Sequence, residues 1–210
     1  MAGSSYAVDI STIAAGRKVD RHDEVAVEEP LEIRVAFSTA DGRAMRSLSI
    51  TMRTPGDDEE LAAGFLLSES IIRRRNDIAA IEACGPPAPD SGNHNVVRVE
   101  LAPDVELDLD RLQRHFYTTS SCGVCGKTSL DALRAVGAEP QTDNTTVFRH
   151  DVLARVPRSL RAAQATFDKT GGLHAAAAFT AAGELVVTRE DVGRHNAVDK
   201  IAGWMRAEGV

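Results

Sequence analysis

Three cysteines in 210 residues, Cys84, Cys122 and Cys125, are too few and odd in number to build a disulfide framework. The start of the chain has neither a basic cluster nor a long apolar stretch, so it is not read as a secretory signal. No run approaches the roughly 18 apolar residues of a membrane span. A formal net charge of −7 argues against a general nucleic-acid binder. Together these readings give a cytoplasmic chain with no membrane or nucleic-acid partner, in a compartment where exposed thiols stay reduced and reactive. The sequence shows no internal repeat.

What is present reads as alternating strands and helices, a mixed α/β (α+β) protein. Leu31 to Phe37 alternates apolar and polar side chains, as a half-buried strand does. Ala40-Asp41-Gly42 turns it, and Leu48 to Met52 returns as its partner. A helix follows Pro55-Gly56, with Asp57 or Asp58 as cap and Leu61, Phe65 and Ile72 as its apolar stripe. Strands are expected at 78–83, 96–101, 173–180 and 185–188. One helix region is placed at 152–167, with Pro157 near its first turn. Another begins near Gly193, with Ala197, Ile201, Trp204 and Met205 on one face. Residues 1–25 read as a loose arm or edge strand, 26–115 as a smaller, β-rich N-terminal α+β part, and 116–210 as the part carrying the paired cysteines.

The sharpest chemical feature is Cys122-Gly123-Val124-Cys125. The glycines at 123 and 126 let a loop expose both sulfurs. Lys127 and a helix start at Thr128 or Ser129 place positive potential nearby, which favours the thiolate. A thiolate can attack a sulfur donor and hold the sulfur as a persulfide. Alternatives are two small residues in a tight loop, a redox pair, or half of a zinc site completed by His174. A zinc deaminase needs H-x-E, and His174-Ala175-Ala176 lacks the glutamate.

Two further clusters stand out. Thr170-Gly171-Gly172-Leu173-His174 is a turn that lets a ligand backbone or phosphate come close, or a plain tight turn with a core histidine. Arg189 to Lys200 packs charge, imidazole and amide at a strand-to-helix junction, where Asp191 can cap the helix and His195 and Asp199 stand four apart. A solvated helix face with ordinary ion pairs has the same composition.

Read together, Ser121-Cys122-Gly-Val-Cys125-Gly126, then Thr170-Gly-Gly-Leu-His174-Ala-Ala-Ala, then Arg189-Glu-Asp-Val-Gly-Arg-His-Asn-Ala-Val-Asp-Lys200 closely resemble the formate dehydrogenase accessory sulfurtransferase family (FdhD). Glu29-Pro30-Leu31 and the run Glu60 to Glu69 are similar to that family as well. The resemblance implies a sulfurtransferase that accepts sulfur from a cysteine desulfurase. It passes the sulfur to the molybdenum cofactor, a bis(molybdopterin guanine dinucleotide) bound as substrate, for formate dehydrogenase. On that likeness Cys122 carries the persulfide and Cys125 is its partner. Gly171, Gly172, His174, Arg194, His195 and Asn196 surround the cofactor. No permanent cofactor or metal is expected. The resemblance also implies a cytidine deaminase-like three-layer main domain and a homodimer. Family members usually continue beyond the final helix, so the chain is expected to lack their C-terminal part. The competing expectation is a guanine-nucleotide or molybdopterin cofactor-binding chaperone that moves no sulfur.

Overall fold

In a computed structural model, residues 3–105, 107 and 147–210 are described. The described chain opens with an antiparallel ribbon, β1 (Ser5–Ala14) and β2 (Arg17–Ala26). Ala15 and Gly16 link them in a two-residue turn with φ of 51° and 75°, both in the left-handed region that tight hairpins need. The sequence reads as a loose arm or an edge strand here, and the structure shows two paired strands. Val8 and Ile10 alternate with the polar Asp9 and Ser11, a short strand-like signal.

Next come β3 (Glu29–Thr39), β4 (Gly42–Arg53), α1 (Asp58–Ser68), a single 3₁₀ turn at Arg75–Asp77, β5 (Ile78–Pro87) and β6 (His94–Leu101). The four strands form one sheet in the order β4-β3-β6-β5. β3 and β6 run parallel, and the other neighbours are antiparallel. Alternation along β3 puts Leu31, Ile33, Val35 and Phe37 on the buried face, beside Val97, Val99 and Leu101 of β6. Leu61 and Leu66 of α1, with Ile72, close over them. Each such side chain contributes about 1.5–3 kcal/mol on burial, so this cluster fixes the sheet and the start of α1.

After residue 146 the described chain resumes with α2 (His150–Ala162), α3 (Ala165–Thr170), the antiparallel pair β7 (His174–Phe179) and β8 (Leu185–Asp191), and α4 (Arg194–Glu208). Mixed α+β architecture was expected and is observed. Several details differ from expectation. The single helix at 152–167 is two helices, and Pro157 lies in the interior of α2 on an exposed position. Ile72 is buried but lies beyond α1, which ends at Ser68. Neither candidate cap of α1 acts through its side chain. Asp57 sits at the cap with φ 55° and makes no capping bond. The Asp58 carboxylate instead accepts from Arg53 Nε and Nη2, both at 2.9 Å.

α1 and α4 cross at backbone contact. A Cβ on Gly64 would stand 1.8 Å from the Asp199 carbonyl oxygen, and one on Gly203 would stand 1.9 Å from the Glu60 carbonyl oxygen. Each helix thus gives a glycine to the other's main chain, and only glycine fits either place. This crossing holds α4 against the sheet domain and so fixes the β8–α4 junction.

Candidate functional site

At that junction lies a buried polar network. Asp191 and Lys200 are both almost completely buried, and Lys200 Nζ stands 2.8 Å from Asp191 Oδ2. The ammonium also donates to the Thr54 carbonyl at 3.0 Å and toward that of Glu190 at 3.4 Å. Asp191 Oδ2 accepts from Thr54 N at 3.2 Å, while Oδ1 accepts from Gly193 N at 2.8 Å and Asn196 Nδ2 at 2.9 Å. A buried charge pair is tolerable only when its remaining lone pairs and protons are met, as here. The network ties the β4–α1 turn to the end of β8 and the first turns of α4.

Asn196 belongs to this network. Its Nδ2 donates to the Met52 carbonyl at 2.8 Å as well as to Asp191, and its Oδ1 accepts from Thr51 Oγ1 at 3.2 Å. Asp191 takes the Gly193 N–H but does not cap α4, whose cap residue, Gly193, has no side-chain bond. His195 is exposed and Asp199 is buried; no hydrogen bond joins them among the described residues. Asp199 instead accepts from Ser68 Oγ at 2.6 Å.

The neighbouring charged residues are fixed too. Arg189 makes a fork with Glu60, Nε and Nη2 donating at 2.6 and 2.7 Å, and its Nε stands 3.3 Å from Asp57. Glu60, ahead of Asp57, holds the Arg189 guanidinium above its ordinary pKa. Glu190 accepts from Thr166 N at 2.9 Å and Phe167 N at 2.7 Å, satisfying the open N–H groups that begin α3. Between the β4–α1 turn, α3 and β8 is a cavity of about 360 Å³, lined by Thr54, Pro55, Asp57, Thr166, Leu173, Thr188, Arg189, Glu190 and Lys200, together with Ser4 and Ala163. That volume is in the range of small-ligand sites.

The Gly-Gly turn meets this junction from the other side. Gly171 ends α3 with φ 66° and donates to the Phe167 carbonyl at 2.7 Å. Gly172 donates to Thr170 Oγ1 at 3.3 Å. In the β7–β8 ladder His174 is opposite Asp191. The same end of this strand pair therefore carries Gly171, Gly172 and His174 on one side and the entry to α4 on the other. Gly171, Gly172, His174, Arg194 and His195 are exposed there, while Asn196 is buried. His174 is thus not a core histidine. Cys122 and Cys125, with Lys127, lie outside the described residues. Among the described residues, no three His, Cys, Asp or Glu side chains group as a metal site.

Sequence reasoning missed Thr54, Glu60 and the two crossing glycines. Thr54 and Asp191 are 137 residues apart, and no local spacing links them.

A mixed α+β protein with a glycine-lined, histidine-bearing junction and a Cys-x-x-Cys segment is the class so defined. The family model described as "FdhD/NarQ family" matches residues 26–210, and the chain belongs to that family. It is 50% identical over 200 residues to a sulfur carrier protein FdhD of Mycolicibacterium paratuberculosis, covering 93% of this chain and 69% of the relative. A sulfur carrier protein FdhD of Streptomyces coelicolor is 51% identical over 193 residues, 91% of this chain and 66% of the relative. One from Sulfolobus acidocaldarius is 41% identical, covering 93% and 67%. The chain thus spans about two thirds of the length of these relatives. A crystal structure assigned as a formate dehydrogenase accessory protein, from Desulfotalea psychrophila, shares the fold at a TM-score of 0.67 and 22% identity, over 99% of this chain and 71% of the other. No helix among the described residues is long and apolar enough to cross a membrane.

Proposed function

We propose that this chain is a sulfur carrier. It accepts sulfur from a cysteine desulfurase as a persulfide on Cys122 and hands it to the molybdenum cofactor, a bis(molybdopterin guanine dinucleotide) bound as substrate, for formate dehydrogenase. The observation that carries the reading is membership of a family whose curated relatives are named sulfur carriers, in a chain that keeps a glycine-flanked Cys122-Gly-Val-Cys125. The chemistry balances without an added oxidant. The Cys122 thiolate attacks the outer sulfur of the donor's persulfide, the donor thiolate leaves, and one sulfur atom changes hands. Cys125 is the second thiol, available to receive or resolve that sulfur.

For the cofactor, support comes from the exposed Gly171, Gly172, His174, Arg194 and His195 at one end of β7–β8, beside the cavity. The Arg194 guanidinium and the exposed imidazoles of His174 and His195 offer N–H donors that suit phosphate oxygens, and the glycine turn leaves room for them to approach. Asn196 acts indirectly, by holding Asp191 and the first turn of α4 in place. Its role is positioning rather than contact.

The test is intact-protein mass spectrometry after incubation with a cysteine desulfurase and free cysteine. A gain of about 32 Da, one sulfur atom, is expected, and Cys122→Ala should abolish it. Retained gain in Cys122→Ala defeats the assignment of the carrier cysteine. No gain in the native chain, with guanine-nucleotide binding intact, favours a cofactor-binding chaperone that moves no sulfur.

A further inference from the structure

Helix α2 takes no part in the buried network, yet its composition sets it apart. Residues 147–170, which hold α2 and α3, carry five Lys or Arg against two Asp, a net +3 within a chain of net −7. Four of those cations, Arg149, Arg155, Arg158 and Arg161, fall on or beside α2.

The helix has two unlike sides. At 3.6 residues per turn, Val152, Val156 and Leu160 point inward; Val152 is buried and the other two are half-buried. Val152 rests on the β7–β8 turn, where a Cβ on Gly183 would stand 2.8 Å from its Cγ1. The outer side carries Leu153, Ala154, Arg155, Pro157, Arg158 and Arg161, all exposed. Leu153 and Pro157, four apart, make an apolar strip along one flank. Arg155 and Arg158 line the other flank, with the small Ala154 between.

The acidic residues do not cancel this charge. Asp151 is shared by Arg149 Nε at 2.9 Å and Arg155 Nη1 at 3.1 Å. Asp168 pairs with Arg161, whose guanidinium also lies 4.7 Å over the Phe167 ring. Arg158 has no hydrogen bond or ion pair among the described residues. A cationic face left over in an acidic chain acts on what approaches it.

We propose that the outer side of α2 is where the protein that supplies the sulfur docks, through an acidic surface. This rests on reading the chain as a sulfur carrier. On that reading sulfur arrives from a protein and leaves to a cofactor, so the donor is the macromolecule that loading requires. The net charge of the chain repels an acidic donor over most of its surface, and α2 attracts it, so charge selects the orientation of encounter. Leu153 and Pro157 supply the apolar area that such a contact buries.

The full chain is loaded by a persulfide-charged cysteine desulfurase and, in parallel, by cysteine persulfide, and intact mass is followed over time. Cysteine persulfide needs no docking surface: the carrier thiolate attacks its outer sulfur and cysteine leaves. From the protein donor, the native rate should fall as salt rises from about 50 to 300 mM. Arg155→Glu with Arg158→Glu should slow it about tenfold at low salt and flatten the salt dependence. Arg158→Ala, which breaks no contact among the described residues, should slow it about two- to threefold. Cysteine persulfide should load all three chains at equal rates. Equal rates from the protein donor in the native and charge-reversed chains overturn the docking surface and leave the carrier reading standing. So does a double variant slowed alike with both donors while Arg158→Ala is unaffected. Retention of the native chain on phosphatidylserine vesicles, with protein-donor rates indifferent to the substitutions, gives the face to a membrane instead. A native chain that loads from neither donor overturns the carrier reading, and this proposal with it.

Discussion

Asp199 gives a prediction whose size follows from its surroundings. It sits at the α1–α4 crossing, 9% exposed. Burial pushes its carboxyl up from 3.8 to about 6, the Ser68 hydroxyl pulls the other way, and Glu69 adds to the rise. A folded-state value above the unfolded one means the folded protein holds the proton more tightly. The contribution is fully present below 3.8 and is lost as pH rises through about 6. A shift of this size corresponds to about 3 kcal/mol at most, at 1.36 kcal/mol per unit. Asp199→Asn removes the titration and keeps an oxygen to accept from Ser68. Urea unfolding of the two proteins should therefore give similar stability near pH 4. Near pH 8 the variant should be more stable by about 2–3 kcal/mol. The comparison with the variant matters because carboxylates such as Glu32, held low by Arg34, change stability with pH in the opposite sense. A stability difference that does not change between the two pH values would refute the argument from burial.

Other substitutions probe the same frame. Gly64→Ala and Gly203→Ala each drive a methyl into a facing main-chain carbonyl; thermal unfolding should show a loss of at least about 1–3 kcal/mol for each. Lys200→Met leaves Asp191 buried without its counter-charge, and chemical denaturation should show a loss of about 3–5 kcal/mol. Leu61→Ala opens a hole in the sheet–helix core and should cost about 2–5 kcal/mol by the same assay.

How much was legible in the sequence follows from how local each signal is. Leu31, Ile33, Val35 and Phe37 announced their strand because alternation with polar residues lies within one short segment. Ala197 and Ile201 announced the buried face of α4 by helical spacing. Arg53 and Asp58 form a fork that spacing does not distinguish from a helix cap, since both place a carboxylate at the start of α1. The reciprocal glycine contact is a property of two helices far apart in the chain, so neither glycine alone marked it. Gly171, Gly172 and His174 were grouped with Arg194 and His195 through family resemblance, and the β7–β8 register supplies a physical reason for their shared end. Asn196 was placed in that group as a contact residue, yet its amide is spent on Met52, Thr51 and Asp191. The folded neighbours of a side chain decide which of its bonds remain free, and sequence order does not contain them.

Sulfur carriage is tested most directly by finding where the atom resides. After exposure to a desulfurase charged with ³⁵S-cysteine, the chain is digested without reductant and its peptides are separated. Label is expected on the peptide holding Cys122 and Cys125, and it should be released by added thiol. Label confined to the Cys84 peptide, or absent from the chain altogether, would contradict the account.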